Sequence, residues 1–171
     1  AVSARNALNE QVRVLRYGED GKGGYYAKQG RDADEGRADY EAAIDKAYSD
    51  IAGTLDEDTR SVYDQLVQNR LETVKDQGAQ YALQQRQAYQ AGVNNAAVAS
   101  SQSDLIEDIN DPQAVADTLL NIRAYTEAAT QGQAPEAVDL LVQKNQSQGL
   151  SAGITAAIER GDLARAREVY E

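Results

Sequence analysis

The sequence predicts an all-α fold: an elongated helical bundle with one long central helix and C-terminal helical hairpins. Three observations carry this. Apolar residues recur at helical spacing along the chain, and strand-like alternation is nowhere convincing. The first proline is Pro112, so a long early stretch has no such breaker. Apolar residues make up 42% of 171, but much of this is alanine, and ten tyrosines are the only aromatics. Alanine with thin Leu, Val and Ile stripes suits helices packed closely side by side.

Residues 1–17 carry Leu8, Val12 and Leu15 on one side of a helix. The glycine-rich stretch GEDGKGGYYAKQG follows at 18–30. From about Gly30 to Ala52 the residues Tyr40, Ile44, Ala47, Tyr48 and Ile51 form one continuous helical face. Gly53 ends that helix. Thr54-Leu55-Asp56-Glu57 then reads as a capping box, with the Thr54 hydroxyl on the N3 amide and Glu57 reaching back.

Val62, Leu66, Val74, Tyr81 and Tyr89 form a loosely heptad-like stripe after this start. A single helix here would span about 75 Å at 1.5 Å per residue. Gly78 and Gly92 each weaken it by about 1 kcal/mol relative to alanine, and mark either close approach of a neighbour or a break. Asp111-Pro112 restarts the chain as N-cap and N1. Val115, Leu119 and Ile122 line the next helix, and Pro135 opens another with Val138, Leu141 and Val142. Leu150, Ile154, Ala157 and Ile158 continue an apolar face past Gly149. Gly161-Asp162 closes one helix and caps the last, which holds Leu163, Ala166 and Tyr170. Three segments follow: short helices with a glycine-rich joint (1–53), a long arm (54–110) and a hairpin region (111–171) expected to continue past Glu171. The chain begins at Ala1, lacks methionine, and stops at REVYE inside a helical pattern. It therefore reads as processed or as an ordered piece of something longer.

Composition limits the chemistry. With no Cys and no His, the chain has no thiolate, no imidazole base and no zinc site of that kind. Seventeen basic residues are spread among twenty-eight acids, for a net charge of −11. Phosphate-backbone binding needs clustered Lys and Arg, so direct nucleic-acid binding is not expected. No apolar run reaches the length of a membrane span, and no secretory signal pattern is visible.

The glycine-rich stretch fails as a phosphate cradle. Gly18 is too close to Gly21-Lys22, Gly23 stands where Ser or Thr would bind magnesium, and no strand precedes it. It reads as a turn whose far side Tyr25 and Tyr26 anchor. Arg160-Gly161-Asp162 matches an integrin-read tripeptide, but its Gly and Asp suit a helix end and the next N-cap. The acidic clusters 32–39 and 107–111 have no apolar surroundings to raise a pKa, as a glycosidase acid requires. They also lack EF-hand spacing. No cofactor or metal is implied. The candidate residues are for packing and assembly: Tyr25, Tyr26, Tyr40, Tyr48, Val62, Leu66, Val74, Tyr81, Tyr89 and Tyr170.

Four strings in order carry a resemblance: GKGGYYAKQGRDA at 21–33, LDEDTRSVYDQ at 55–65, DPQAVADTLLNIRAYTEAA at 111–129, and LVQKNQSQGLSAGITAAIERGDLARAREVYE at 141–171. In this the chain resembles the large internal virion proteins of tailed bacteriophages, some of which are ejected with the genome. The resemblance implies a structural role inside the capsid or in a conduit through the host envelope. It implies a homo-oligomer that also contacts portal or core proteins. It also implies that a lytic transglycosylase domain can lie elsewhere in a longer parent chain. No catalytic constellation is read in this segment. The alternative is a helical adaptor, because AAIERGDLARAREVYE also looks like part of a tetratricopeptide hairpin. A cell-wall enzyme fragment is the third reading.

Overall fold

The structure, a computed structural model, describes residues 1–170; Glu171, the last residue of the expected hairpin region, lies outside them. The described residues are all-α. The helices are α1 (Val2–Tyr17), α2 (Gly30–Glu35), α3 (Arg37–Ala52), α4 (Glu57–Asp108), α5 (Pro112–Ala129), α6 (Pro135–Glu159) and α7 (Leu163–Tyr170), with a 3₁₀ turn at Tyr25–Ala27. None of them is long and apolar enough to cross a membrane. The chain divides into two compact units, 1–89 and 90–171. The boundary falls inside α4, whereas the sequence reading set 54–110 apart as an arm. The reason is that each half of α4 supplies buried residues to a separate core.

In the first unit, Leu8 and Val12 of α1 and Tyr40, Ile44 and Ala47 of α3 are buried with Tyr63, Val67 and Val74 of α4. Leu15, Tyr48 and Ile51 pack partly buried against them. The pattern expected to run from Gly30 to Ala52 is interrupted at Gly36, between α2 and α3. Only the local geometry changes there, since Gly36 N–H still donates to Asp32 O at 3.0 Å and Tyr40 N–H to Gly36 O at 3.1 Å. A β-carbon at Gly36 would lie 2.9 Å from Asp32 O, so the close junction leaves room for glycine there.

The start of α4 corrects the expected capping box. Asp56 is the cap: its Oδ1 accepts from Thr59 N–H and its Oδ2 from the Thr59 hydroxyl, both at 2.9 Å. Thr54 instead donates its hydroxyl to Ile51 O at 2.7 Å, closing the end of α3. A carboxylate offers two acceptors and favours the positive end of the helix dipole, so it outcompetes the hydroxyl. From there α4 runs as one helix of 52 residues.

In the second unit, Val98, Leu105 and Ile109 are buried with Val115, Ile122, Ala157 and Ala166. Asp111 caps α5, its Oδ1 accepting from the amides of Gln113 and Ala114 at 2.9 and 3.2 Å. The α6 helix passes through Gly149 and Gly153 without a break. Both glycines admit close packing: a Cβ at Gly149 would lie 2.6 Å from Leu105 Cδ1, and one at Gly153 would lie 2.9 Å from Leu105 O. Polar ties join the same helices. Gln102 donates to Asn145 O at 2.8 Å, Asn145 to the Thr126 hydroxyl at 3.0 Å, and Gln146 to Leu119 O at 2.9 Å.

The Arg160-Gly161-Asp162 tripeptide sits in the α6–α7 turn. Arg160 donates to Ile106 O at 3.1 Å, Gly161 takes a positive φ, and the Asp162 carboxylate accepts from Arg165 N–H at 3.1 Å. Arg165 Nε in turn donates to Ile109 O. Two guanidinium groups thus serve carbonyls at the C-terminal end of α4 that have no partner within the helix.

Candidate functional site

The densest grouping of chemically distinctive side chains is a tyrosine-lined joint in the first unit. It starts at Gly18, where φ is +83° and the N–H donates to Val14 O at 2.7 Å. Only glycine takes that conformation without strain. The chain then returns to the last turn of α1 so closely that a Cβ at Gly24 would lie 2.3 Å from Arg16 C. This return places Tyr25 and Tyr26 against α3 and α4.

Tyr25 stacks on Tyr40 with ring centroids 4.3 Å apart and an interplanar angle of 8°. Its hydroxyl donates to Ala33 O at 2.9 Å. Tyr26 meets Tyr81 edge-on at 4.7 Å. The Tyr81 hydroxyl shares its proton between Tyr26 O and Lys28 O at 3.0 and 2.5 Å, tying the middle and the C-terminal flank of the 3₁₀ turn to α4. Arg16 lies 5.0 Å over the Tyr26 ring and 5.5 Å over Tyr17. It also donates to the Tyr26 hydroxyl at 3.1 Å and to Gln77 Oε1 at 2.7 Å. Cation–π contacts of this kind are worth about 0.5–1 kcal/mol at partly exposed sites.

The Tyr40 hydroxyl is buried and has no hydrogen-bond partner in the chain. Burial pushes its pKa up to about 12. Tyr63 behaves likewise: its hydroxyl is buried and unpartnered, and burial raises its pKa to about 12. Tyr63 stacks on Tyr48 at 5.7 Å, and the Tyr48 hydroxyl donates to Asp64 at 2.7 Å. That bond to a carboxylate raises the Tyr48 pKa. Nearby, Val14, Leu15, Ala43 and Ala47 line a recess of about 370 Å³ between α1 and α3, with Glu10, Lys46 and Asp50 also on its walls.

Among the sequence-selected residues, Tyr25, Tyr26, Tyr40 and Tyr81 meet in the joint, and Tyr48 and Val74 belong to the same unit's core. Val62 and Leu66 do not join them; they are 49% and 41% exposed. The buried register lies one residue later, at Tyr63, Val67, Leu71 and Val74, and it runs on to Gly78 and Ala82. The sequence reading missed Tyr63 and Val67. The available signal was Gly78, since steps of four, three, four and four residues back from it reach Val74, Leu71, Val67 and Tyr63, the covered register. Tyr89 is 47% exposed beside Gly30, and Tyr170 is 82% exposed.

The geometry suits holding helices together. The phenols of Tyr25, Tyr26, Tyr40 and Tyr81 bond to backbone carbonyls, to Arg16 or to nothing, and Arg16 is spent on tyrosine rings, the Tyr26 hydroxyl and an amide. Among the described residues no three carboxylates converge as a metal site would need. No protein-family model, curated protein or solved structure matches the chain.

Proposed function

We propose that this chain is a non-enzymatic structural segment of a tailed-phage internal virion or genome-ejection protein. It works by helix–helix assembly in the virion or in an ejection conduit, with contacts to its own copies and to portal or core proteins. The observation that carries this reading is α4: one helix of 52 residues, exposed on every side from Arg86 to Gln90. A helix of that length gains little from its own propensity and needs packing along its flank. The ordered likeness of the four quoted strings to phage internal proteins supports the same reading, as does the acidic surface, which favours protein partners over a phosphate backbone.

A tetratricopeptide-type adaptor competes with this. It fits less well, because a 25-residue α6 leaves little of a repeat of about 34 residues for a second helix. The deciding experiment is mass spectrometry of purified phage particles, before and after ejection is triggered. The chain is expected in intact particles and in the ejected fraction. Its absence from particles would overturn the proposal.

A further inference from the structure

A groove of about 850 Å³ runs along α6 in the second unit, with Ile106 on its other wall. The α6 residues on it include Lys144, Gln148, Ser151, Thr155 and Glu159, which fall at i, i+4, i+7, i+11 and i+15, one helical face. All of these are exposed. From 145 to 158 no side chain is charged, so Lys144 and Glu159 stand as opposite charges at the two ends of the groove. Neither has an ion-pair partner among the described residues.

We propose that a second copy of the chain docks antiparallel on this face of α6. The α6 residues lining the groove are placed symmetrically about the midpoint between Ser151 and Ala152. A two-fold axis through that midpoint sets Ser151 opposite Ala152, Ser147 opposite Ala156 and Gln148 opposite Thr155. The first two pairings are small against small, so the helices can approach closely where they cross. The third gives the Gln148 amide a hydroxyl to bond. The same axis brings Lys144 of one copy against Glu159 of the other, twice per dimer. A parallel pair would set Lys144 against Lys144 and Glu159 against Glu159, and like charges repel. A face that complements its own reversal is what a two-fold dimer needs, and this favours a second copy over an unrelated partner. The inference rests on the assembly reading above and names its surface and partner.

The test is sedimentation equilibrium of the full chain at low salt. The wild type is expected to dimerise. Ser151→Arg, which sets a long charged side chain at the crossing, and Lys144→Glu are each expected to weaken the dimer by about tenfold or more. The double variant Lys144→Glu/Glu159→Lys should recover most of the second loss. Thermal melts by circular dichroism confirm that each variant folds. Orientation is read by carbodiimide coupling of mixed ¹⁵N-labelled and unlabelled chains, followed by peptide mass spectrometry. The expected product is an amide joining Lys144 of one copy to Glu159 of the other. Within one helix the two stand about 22 Å apart at 1.5 Å per residue, too far to couple. A wild type that stays monomeric overturns the inference. Association that survives Ser151→Arg moves the contact elsewhere, leaving the assembly reading intact but not this surface. A charge swap that fails to rescue, or a dimer without the Lys144–Glu159 link, overturns the antiparallel match. Detection in particles is read separately, so the two ideas fail by different results.

Discussion

The Tyr40 ring lies across Gly78 so closely that a β-carbon at that glycine would sit 2.8 Å from Tyr40 Cε1. A glycine in mid-helix is thus the seat of an aromatic side chain from α3. Helix propensity and packing then predict opposite signs for the same substitution. Gly→Ala adds about 1 kcal/mol of helix propensity, whereas forcing an extra methyl into a filled site costs about 1–3 kcal/mol. Gly78→Ala is therefore expected to lower stability. Gly92→Ala, where nothing lies within 4 Å, is expected to raise it. Urea melts at dilute protein concentration compare the two; a more stable Gly78→Ala would show that Tyr40 moves aside freely.

Tyr63→Phe is expected to leave the fold intact and to be neutral or stabilising by up to about 1 kcal/mol, because the hydroxyl it removes is buried and unpartnered. Tyr48→Phe should go the other way, since it breaks the bond to Asp64. Thermal melts at neutral pH distinguish the pair.

Alkaline pH should unfold the first unit. Burial raises the pKa values of Tyr40 and Tyr63 to about 12 in the folded chain, above the ordinary tyrosine value of about 10. Their contribution is complete below about pH 10, where both states hold the proton. It falls between about pH 10 and 12, as the unfolded chain ionises and the folded one does not. The Tyr40→Phe/Tyr63→Phe variant should show a flatter decline across that window. An identical decline in variant and wild type would remove these two phenols as the cause.

Asp56→Ala is expected to lower the melting temperature more than Thr54→Ala, because Asp56 holds the first turn of α4. The Asp56 pKa is lowered, first by the hydrogen bond from the Thr59 amide. Its stabilising effect is therefore present above the ordinary carboxylate range and is lost as pH falls through the lowered value. Asp56→Asn keeps a cap and should lose only this acid sensitivity.

Gly153→Val is aimed at the second unit, where a β-carbon would already meet Leu105 O at 2.9 Å. Of the ten tyrosines, only Tyr125 and Tyr170 lie beyond residue 89. Loss of helical signal with the near-ultraviolet tyrosine signal retained is the expected result. Loss of both together would mean that the two units melt as one.

Much of this architecture was legible wherever a residue's role is local. The Tyr40–Ile44–Ala47 face, the Asp111-Pro112 start and the Gly161-Asp162 turn depend on neighbours within a few positions, and the chain states them directly. The register of α4 is different. Val62 and Leu66 are as apolar as Tyr63 and Val67, so periodicity alone allows two faces about 100° apart. What decides between them is which face α1 and α3 cover, and that is a long-range fact. Tyr63 was missed for this reason. The capping error at Thr54 has a different origin: two good cap residues stand two positions apart, and the choice depends on where α3 releases the chain.

The far end of α4 depends on residues made much later. The carbonyl of Ile106 in its last turn and that of Ile109 just past it take their guanidinium partners from Arg160 and Arg165. On a ribosome the first unit has all its core residues by Ala82, and it can close early. The last turn of the long helix has to wait through more than fifty further residues before its cover arrives. Until then the first unit can be closed while that turn stays open, and order of synthesis becomes order of locking.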